Sequence, residues 1–176
     1  MGLRRTTHCL TGRSAFTLIE VLVVVAIIGI AAAVVVPQMI RPGTLNAQAG
    51  ARMIIADLLY AQNDAIAKQQ VRRVVFDPTN NRYWLEDQGG SIISVNWKKN
   101  SGSGNYVVDF ASDKRFAGVT ISTASFGSGS EIEYDLLGGP SVGGTIDLVA
   151  TGGPTYRITI APLTGRVTVA PVTVTP

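Results

Sequence analysis

Residues 13–37 begin Arg-Ser-Ala-Phe-Thr-Leu-Ile-Glu, continue as an apolar run over 21–36, and end at Pro37. From residue 16 to residue 40 the only charged side chain is that of Glu20. Roughly 20 apolar residues in a helix span the hydrocarbon core of a bilayer, so residues 16–40 predict a transmembrane helix. A charge at bilayer depth is costly and therefore rare, which marks Glu20 as a functional residue.

The residues before this run carry only positive charge. Arg4, Arg5 and Arg13 lie there, and residues 1–15 contain no Asp or Glu. By the positive-inside rule, the N-terminus stays in the cytoplasm and the rest of the chain crosses the membrane. The alternative is an ordinary secretory signal cut after the alanines at 31–33, which releases a secreted domain. Against it, the apolar run continues past the alanines, and an ordinary signal has no use for an internal glutamate.

The sequence Ala15-Phe16-Thr17-Leu18-Ile19-Glu20 resembles the processing motif of type IV pilins and type II secretion pseudopilins. The resemblance implies that residues 1–15 are a prepilin leader, which a prepilin peptidase removes by cutting between Ala15 and Phe16. It also implies methylation of the new N-terminus on Phe16. Ala15 departs from the glycine that is usual in the family.

In the filament, the resemblance implies that the protonated amine of Phe16 on one subunit meets Glu20 of a neighbour. Because pairing offsets much of the cost of a buried charge, this contact sets the register of the subunits. The alternative for Glu20 is a glutamate that reaches the membrane surface and has no partner.

Composition argues against most enzyme classes. The only His and the only Cys are His8 and Cys9, both in the predicted leader. The mature chain then has no Cys nucleophile, His base, disulfide, or zinc site with Cys or His ligands, so we expect no catalytic activity and no cofactor. Three of the 15 Lys and Arg residues lie in the leader, which leaves 12 against 12 acidic residues. A neutral mature chain argues against nucleic acid as a partner, and the basic pairs at 72–73, 98–99 and 114–115 are interpreted as solvated.

Residues 41–70 predict a second, amphipathic helix that ends near 69–70. Pro37, Pro42 and Gly43 are predicted to kink or break the chain between the two helical regions. An apolar stripe is expected to pack on a sheet, and it comprises Ala51, Ile55, Leu58, Leu59, Gln62 and Ile66. Polar residues are expected to lie largely off that stripe, and these are Arg52, Asp57, Asn63, Asp64 and Lys68.

Residues 71–176 predict an antiparallel β head domain. Alternation and turn residues indicate strands at 71–77, 82–87, 92–97, 106–110, 119–123, 131–136, 145–149, 155–161 and 166–169. In the sixth of these, Ile132, Tyr134 and Leu136 are expected to share one face. The sequence 164–167 is interpreted as a tight hairpin turn in which Gly165 adopts a positive φ. The predicted fold is therefore α+β, with a long N-terminal helix, transmembrane in one half and amphipathic in the other, packed on a β-sandwich-like head.

The sequences at 131–135, 144–148, 156–160 and 164–167 look like the globular domain of GspH and FimT-type minor pseudopilins. This resemblance implies a structural subunit of a periplasmic type II secretion pseudopilus, held in the bacterial inner membrane by a single pass. The implied partners are other pseudopilins through helix packing, the prepilin peptidase, an inner-membrane assembly platform, and secreted cargo. A second hypothesis is a FimT-like minor type IV pilin that acts in pilus assembly or DNA uptake, although residues 167–176 carry no charge.

Overall fold

The computed structural model describes residues 16–39, 42–95 and 104–172, with side chains described for 16–33, 43–95 and 104–172. The chain divides into two compact units, Met1–Ile40 and Arg41–Pro176. The predicted leader and its residue Ala15 lie outside the described residues.

The first unit contains one helix, α1 (Leu18–Met39). Every described side chain from residue 16 to residue 33 is exposed, and most of them are apolar. Among the residues that the structure describes, no helix is both long enough and apolar enough to cross a membrane.

The second unit begins with a second helix, α2 (Pro42–Lys68). Proline suits the first position of a helix, because the N–H of that residue has no partner within the helix. The helix ends just before the predicted 69–70, since Gln69 adopts a φ of 51°. A residue in this left-handed conformation commonly closes a helix.

The rest of the second unit forms two four-stranded antiparallel sheets. The first has the order β3-β2-β1-β5, with β1 (Arg72–Asp77), β2 (Arg82–Asp87), β3 (Val107–Asp109) and β5 (Glu131–Tyr134). The second has the order β4-β6-β7-β8, with β4 (Val119–Phe126), β6 (Gly144–Ala150), β7 (Thr155–Ile160) and β8 (Val167–Val172). Because α2 contacts strands of both sheets, the predicted α+β fold is confirmed.

The predicted strands at 92–97 and 131–136 are interrupted or end early in the structure, and β4 and β8 extend three residues beyond their predicted ends. In the described part of 92–97, Ile92 and Ser94 form only isolated bridges, and residues 96 and 97 lie outside the described residues. Strand β5 ends at Tyr134, before Leu136, because the Asp135 carboxylate accepts hydrogen bonds from the backbone N–H groups of Leu137 and Gly139 and starts a turn. Leu136 is therefore exposed rather than on the buried face with Tyr134.

Alternate residues of the strands point into one core. Buried positions alternate along β1, β2 and β7, as expected for sheets with one solvated face. The core is rich in aromatic rings, and Phe76 lies 5.3 Å from the ring of Tyr83 and 5.8 Å from that of Phe126.

The predicted apolar stripe of α2 was partly wrong, because Ala51 and Leu58 are buried as expected but the buried face of the helix lies to one side of the stripe. The buried face of the helix comprises Ala47, Ala51, Ile54, Leu58, Ala61 and Ala65, together with the carboxylates of Asp57 and Asp64. Leu59 and Ile66, which were predicted to be buried, are exposed. Small alanines face the sheets because they let the helix approach closely, and the larger apolar residues lie on its flank.

Candidate functional site

The described residues that follow the predicted cleavage site form the start of α1. The Thr17 hydroxyl accepts a hydrogen bond from the backbone N–H of Glu20 at 3.3 Å, and the Thr17 carbonyl accepts one from Val21 N–H at 3.2 Å. Thr17 is therefore the N-cap residue, and Glu20 stands at the third helical position, the spacing of a capping box. The residues of the processing motif thus also start the helix.

The first turn of α1 suits a carboxylate. Its acidic residue is Glu20, at the end of the helix where the aligned peptide dipoles place partial positive charge. Beyond it, all residues from 21 to 33 are apolar and exposed. Glu20 is consequently the one charged residue in a described segment that otherwise presents only apolar or hydroxyl side chains.

The predicted kink residues have different positions in the two helices. Pro37 lies within α1, whereas Pro42 and Gly43 are the first two residues of α2. Ile40 and Arg41 lie outside the described residues, so the kink remains a prediction. A Cβ on Gly43 would stand 2.7 Å from the carbonyl oxygen of Thr151, and glycine here therefore permits close packing of α2 on the turn after β6.

A buried carboxylate joins α2 to the first sheet. The Tyr83 and Tyr106 hydroxyls donate to the two oxygens of Asp57 at 2.6 and 2.7 Å, and Asp57 is 4 % exposed. Burial raises the pKa of Tyr83 well above its usual range, and the nearby charge of Asp57 adds to the effect. Both tyrosines therefore remain neutral donors, and the site acts as a structural clamp.

A buried ion pair connects the C-terminal end of α2 to the start of β1. Arg72 Nε donates to Asp64 Oδ2 at 2.6 Å, and Lys68 Nζ lies 2.9 Å from the other oxygen of Asp64. Burial alone would raise the pKa of Asp64, but the hydrogen bonds and charges of Arg72 and Lys68 outweigh it and hold that pKa below its usual value. Arg72 is 3 % exposed, so its interpretation as a solvated residue was wrong.

The outer faces of the sheets carry ion pairs. Arg73 Nη2 donates to Glu133 at 2.9 Å, and its Nη1 and Nε lie 3.7 Å from carboxylate oxygens of Glu86 and Glu131. On the second sheet, Arg157 makes two bonds of 2.8 Å to Asp147, and the hydrogen bond from Arg157 holds the pKa of Asp147 below its usual value. These carboxylates are occupied by arginines, and no metal-binding group of three or more His, Cys, Asp or Glu occurs among the described residues.

One surface depression, of about 670 Å³, lies beside β3 and the short 3-10 helix Lys114–Phe116. Charged residues of both signs line it, including Arg82, Asp109, Asp113 and Arg115. Arg115 binds Asp113 at 2.6 Å and Arg82 binds Asp77 at 3.1 Å, so these cations are already paired. Two of the three cations that line the depression are therefore already neutralised by neighbouring carboxylates.

Both parts of the chain are similar to known proteins. Residues 10–36 match the family described as the prokaryotic N-terminal methylation motif. The fold is similar to that of the type IV minor pilin FimU of Pseudomonas aeruginosa, with 16% identity and a TM-score of 0.50 over 70% of this chain and 87% of that one. The minor pseudopilin EpsH of the type 2 secretion system of Vibrio cholerae has 14% identity and a TM-score of 0.49 over 72% and 97% of the two chains. No curated protein matches the chain.

The family match includes residues 16–20, where α1 and its Thr17 cap begin. The similarity to FimU concerns the fold. The fold of the chain is like that of a type IV minor pilin. In this pilin-like chain, sequence reasoning identified the N-terminal motif, and the roles of Ala15, Phe16 and Glu20 in processing and assembly remain predictions. It missed the buried positions of Asp57 and Asp64. Their spacing of seven residues, in step with Ile54 and Ala61, was the signal that could have found them.

Proposed function

We propose that this chain is a structural subunit, a minor pseudopilin of a periplasmic type II secretion pseudopilus that helps to export folded proteins. The observation that carries the proposal is α1, which presents apolar side chains on every side and one carboxylate in its capped first turn. A helix that is apolar all round is stable only when its whole surface is covered. Lipid covers it first and the α1 helices of neighbouring subunits cover it later.

The proposed sequence of membrane insertion, processing and assembly follows from the need to bury the apolar surface of α1. The subunit waits in the bacterial inner membrane, with its N-terminus in the cytoplasm and its head in the periplasm. The prepilin peptidase cuts between Ala15 and Phe16 and methylates Phe16, and the inner-membrane platform then draws the subunit into the filament. Its partners are other pseudopilins through α1 and secreted cargo through the head.

Glu20 has a defined task in this scheme. When α1 leaves lipid for a bundle of helices, an unpaired carboxylate there costs several kcal/mol, whereas a carboxylate facing the amine of Phe16 on a neighbour costs much less. The pair therefore favours one register of subunits over others. The capping bond from Glu20 N–H to Thr17 leaves the Glu20 carboxylate available for this contact.

A minor type IV pilin is the second candidate, and the likeness to the FimU fold favours it. Its DNA-uptake form receives no support from the charges of the second sheet. Strand β8 has no charged residue, and Arg157 is bound by Asp147. Steeply salt-dependent duplex binding by the purified protein is the result that would favour it.

The intact mass and N-terminal sequence of the mature protein test the proposal. Expressed in a host with its own prepilin peptidase, the chain is expected to start at Phe16 and to carry one added methyl group. The variant Ala15→Leu, with a bulky residue before the cut, is the matched control and is expected to keep its leader. A mature start at Val34 with the protein free in the periplasm would instead show ordinary signal cleavage.

Incorporation into filaments tests the role of Glu20. In the Glu20→Gln variant, we expect normal processing and membrane retention but strong loss from sheared filaments, because the neighbour's amine loses its charge partner. The matched control is Glu131→Gln, which neutralises an exposed glutamate of the head. Equal incorporation of both variants would remove Glu20 from the assembly step.

A further inference from the structure

The outer edge of β8 and the adjoining flank of α2 form an uncovered surface, which we call the β8 seam. It comprises Arg52, Ile55 and Leu59 of α2, and Val167, Val169 and Pro171 of β8. Strand β8 is the last of its sheet, and no strand of the described part of the chain pairs with its outer side. The seam lies within the head unit and does not depend on the proposed function.

The backbone of β8 has hydrogen-bonding groups directed outward. Ala161 N–H donates to the Arg166 carbonyl at 2.9 Å, and residues along an antiparallel pair alternate between bonding inward and outward. With the observed register, Thr168 and Ala170 bond inward to β7, so the N–H and C=O groups of Val167 and Val169 point outward. Pro171 stands at the next outward position, where its missing N–H costs the sheet nothing.

The flank of α2 runs alongside this edge. Gln48 Nε2 donates to the Tyr156 hydroxyl at 3.0 Å, and Tyr156 is the β7 partner of Pro171. Four turns later, Gln62 Nε2 donates to the Thr164 carbonyl at 3.5 Å, just before β8 begins. The helical stripe between the two glutamines contains Arg52, Ile55 and Leu59, which therefore follow the length of the edge.

The seam is apolar but incompletely covered. Val169 shares the core-facing side of the sheet with its partner Ile158, yet it is 45% exposed while Ile158 is fully buried. Leu59, on the helical stripe between Gln48 and Gln62, is 44% exposed. One more strand beside β8 would cover both side chains and bond both outward-facing residues of the edge.

The charge of Arg52 favours one direction for a strand that binds at the seam. Arg52 is exposed, and no carboxylate of the described residues lies within ion-pair distance of it. The stripe places Arg52 toward the Pro171 end of β8. An incoming strand that runs antiparallel to β8 begins at that end, so a carboxylate near its N-terminus would meet Arg52.

We propose that the β8 seam binds an extended segment of a partner protein by adding it to the sheet as an antiparallel strand. The segment has apolar side chains at alternate positions and an acidic residue near its N-terminal end. Main-chain bonds to Val167 and Val169 give the affinity, and Leu59 and Arg52 select the side chains. The absence of an N–H at Pro171 limits the pairing to a short strand.

Fluorescence anisotropy with the full chain in detergent micelles tests this proposal. The probe is a labelled synthetic peptide in which valine alternates with threonine after an N-terminal glutamate. The control peptide has proline in place of each threonine and cannot offer the N–H groups of a strand. We expect saturable binding of the first peptide and none of the second.

Variants of the seam locate the binding. Val169→Pro removes one outward-facing N–H and breaks no bond to β7. It is expected to weaken binding about fivefold, which corresponds to the net contribution of one hydrogen bond. Leu59→Ser is expected to weaken it about as much, because that side chain loses its apolar cover. Leu136→Ser changes a leucine of the same exposure, 44%, which follows β5 and lies outside the seam, and it is expected to have no effect.

Charge reversal completes the test. Arg52→Glu is expected to weaken binding of the glutamate peptide and to improve binding of one with lysine in that place. Circular dichroism of each variant checks that the fold is intact, and Val169→Thr supplies a second edge variant that keeps the backbone N–H and is expected to bind more tightly than Val169→Pro. Absence of peptide binding, equal binding of the proline peptide, or binding that Val169→Pro and Leu59→Ser leave unchanged would overturn the proposal.

Discussion

Replacing Tyr83 with phenylalanine removes a hydroxyl that donates to the buried carboxylate of Asp57. The bond is short, at 2.6 Å, and both residues are buried, so bulk water does not readily replace the lost donor. Hydrogen bonds to charged groups contribute about 1.5–3 kcal/mol. We therefore expect the free energy of unfolding to fall by about 2 kcal/mol, a large share of the 5–15 kcal/mol typical of a domain.

Urea denaturation of the purified protein in detergent, followed by circular dichroism, measures this loss. The matched control is Tyr134→Phe, since Tyr134 is also buried but its hydroxyl has no hydrogen-bond partner among the described residues. That variant is expected to change the free energy of unfolding by less than about 0.5 kcal/mol. If Tyr83→Phe costs no more than Tyr134→Phe, the Asp57 clamp does not stabilise the head.

Three further predictions concern other parts of the head. Because Arg72 and Lys68 lower the pKa of Asp64, this carboxylate adds stability above its unfolded pKa of about 3.9, and the stability is lost as the pH falls through its lower folded pKa. Asp64→Asn should therefore reduce stability at pH 7 and flatten the acid limb of a denaturation-against-pH curve; an unchanged acid limb would contradict this. Gly138→Ala should cost more than Gly152→Ala in thermal unfolding, because both have a positive φ but only the first new Cβ meets a side chain, 2.6 Å from Ile66 Cδ1; equal losses would show that Ile66 moves aside freely. Lys68→Met, which removes a half-exposed partner of Asp64, should cost under about 1 kcal/mol, and a larger loss would show that its pair with Asp64 is not a surface one.

The strands were predictable because their signals are local. Alternation of apolar and polar residues placed β1, β2, β6 and β7 to within one or two residues of their observed bounds. Errors occurred where a side chain bonds its own backbone. Asp135 closes a turn after Tyr134, which removes Leu136 from the strand that the alternation had extended.

The buried face of α2 could not be predicted from the largest apolar residues of the helix. Ile55, Leu59 and Ile66 form a regular stripe, but the sheets pack on the alanine face beside it. Two carboxylates could be buried on that face because Tyr83, Tyr106 and Arg72 stand opposite them. Arg72 follows Asp64 by eight residues, but Tyr83 and Tyr106 lie 26 and 49 residues beyond Asp57, so no local pattern shows the partners of Asp57.

The sequence by itself determined the N-terminal segment. The order of residues from Ala15 to Glu20, the basic residues before them and the apolar run after them are read within one stretch of chain, and the Thr17 cap is likewise local. Only the tertiary structure decided which side of α2 is core and which edge of the second sheet stays open. Both depend on which strands become neighbours, since burial and hydrogen bonding are set by contacts between residues far apart in the chain.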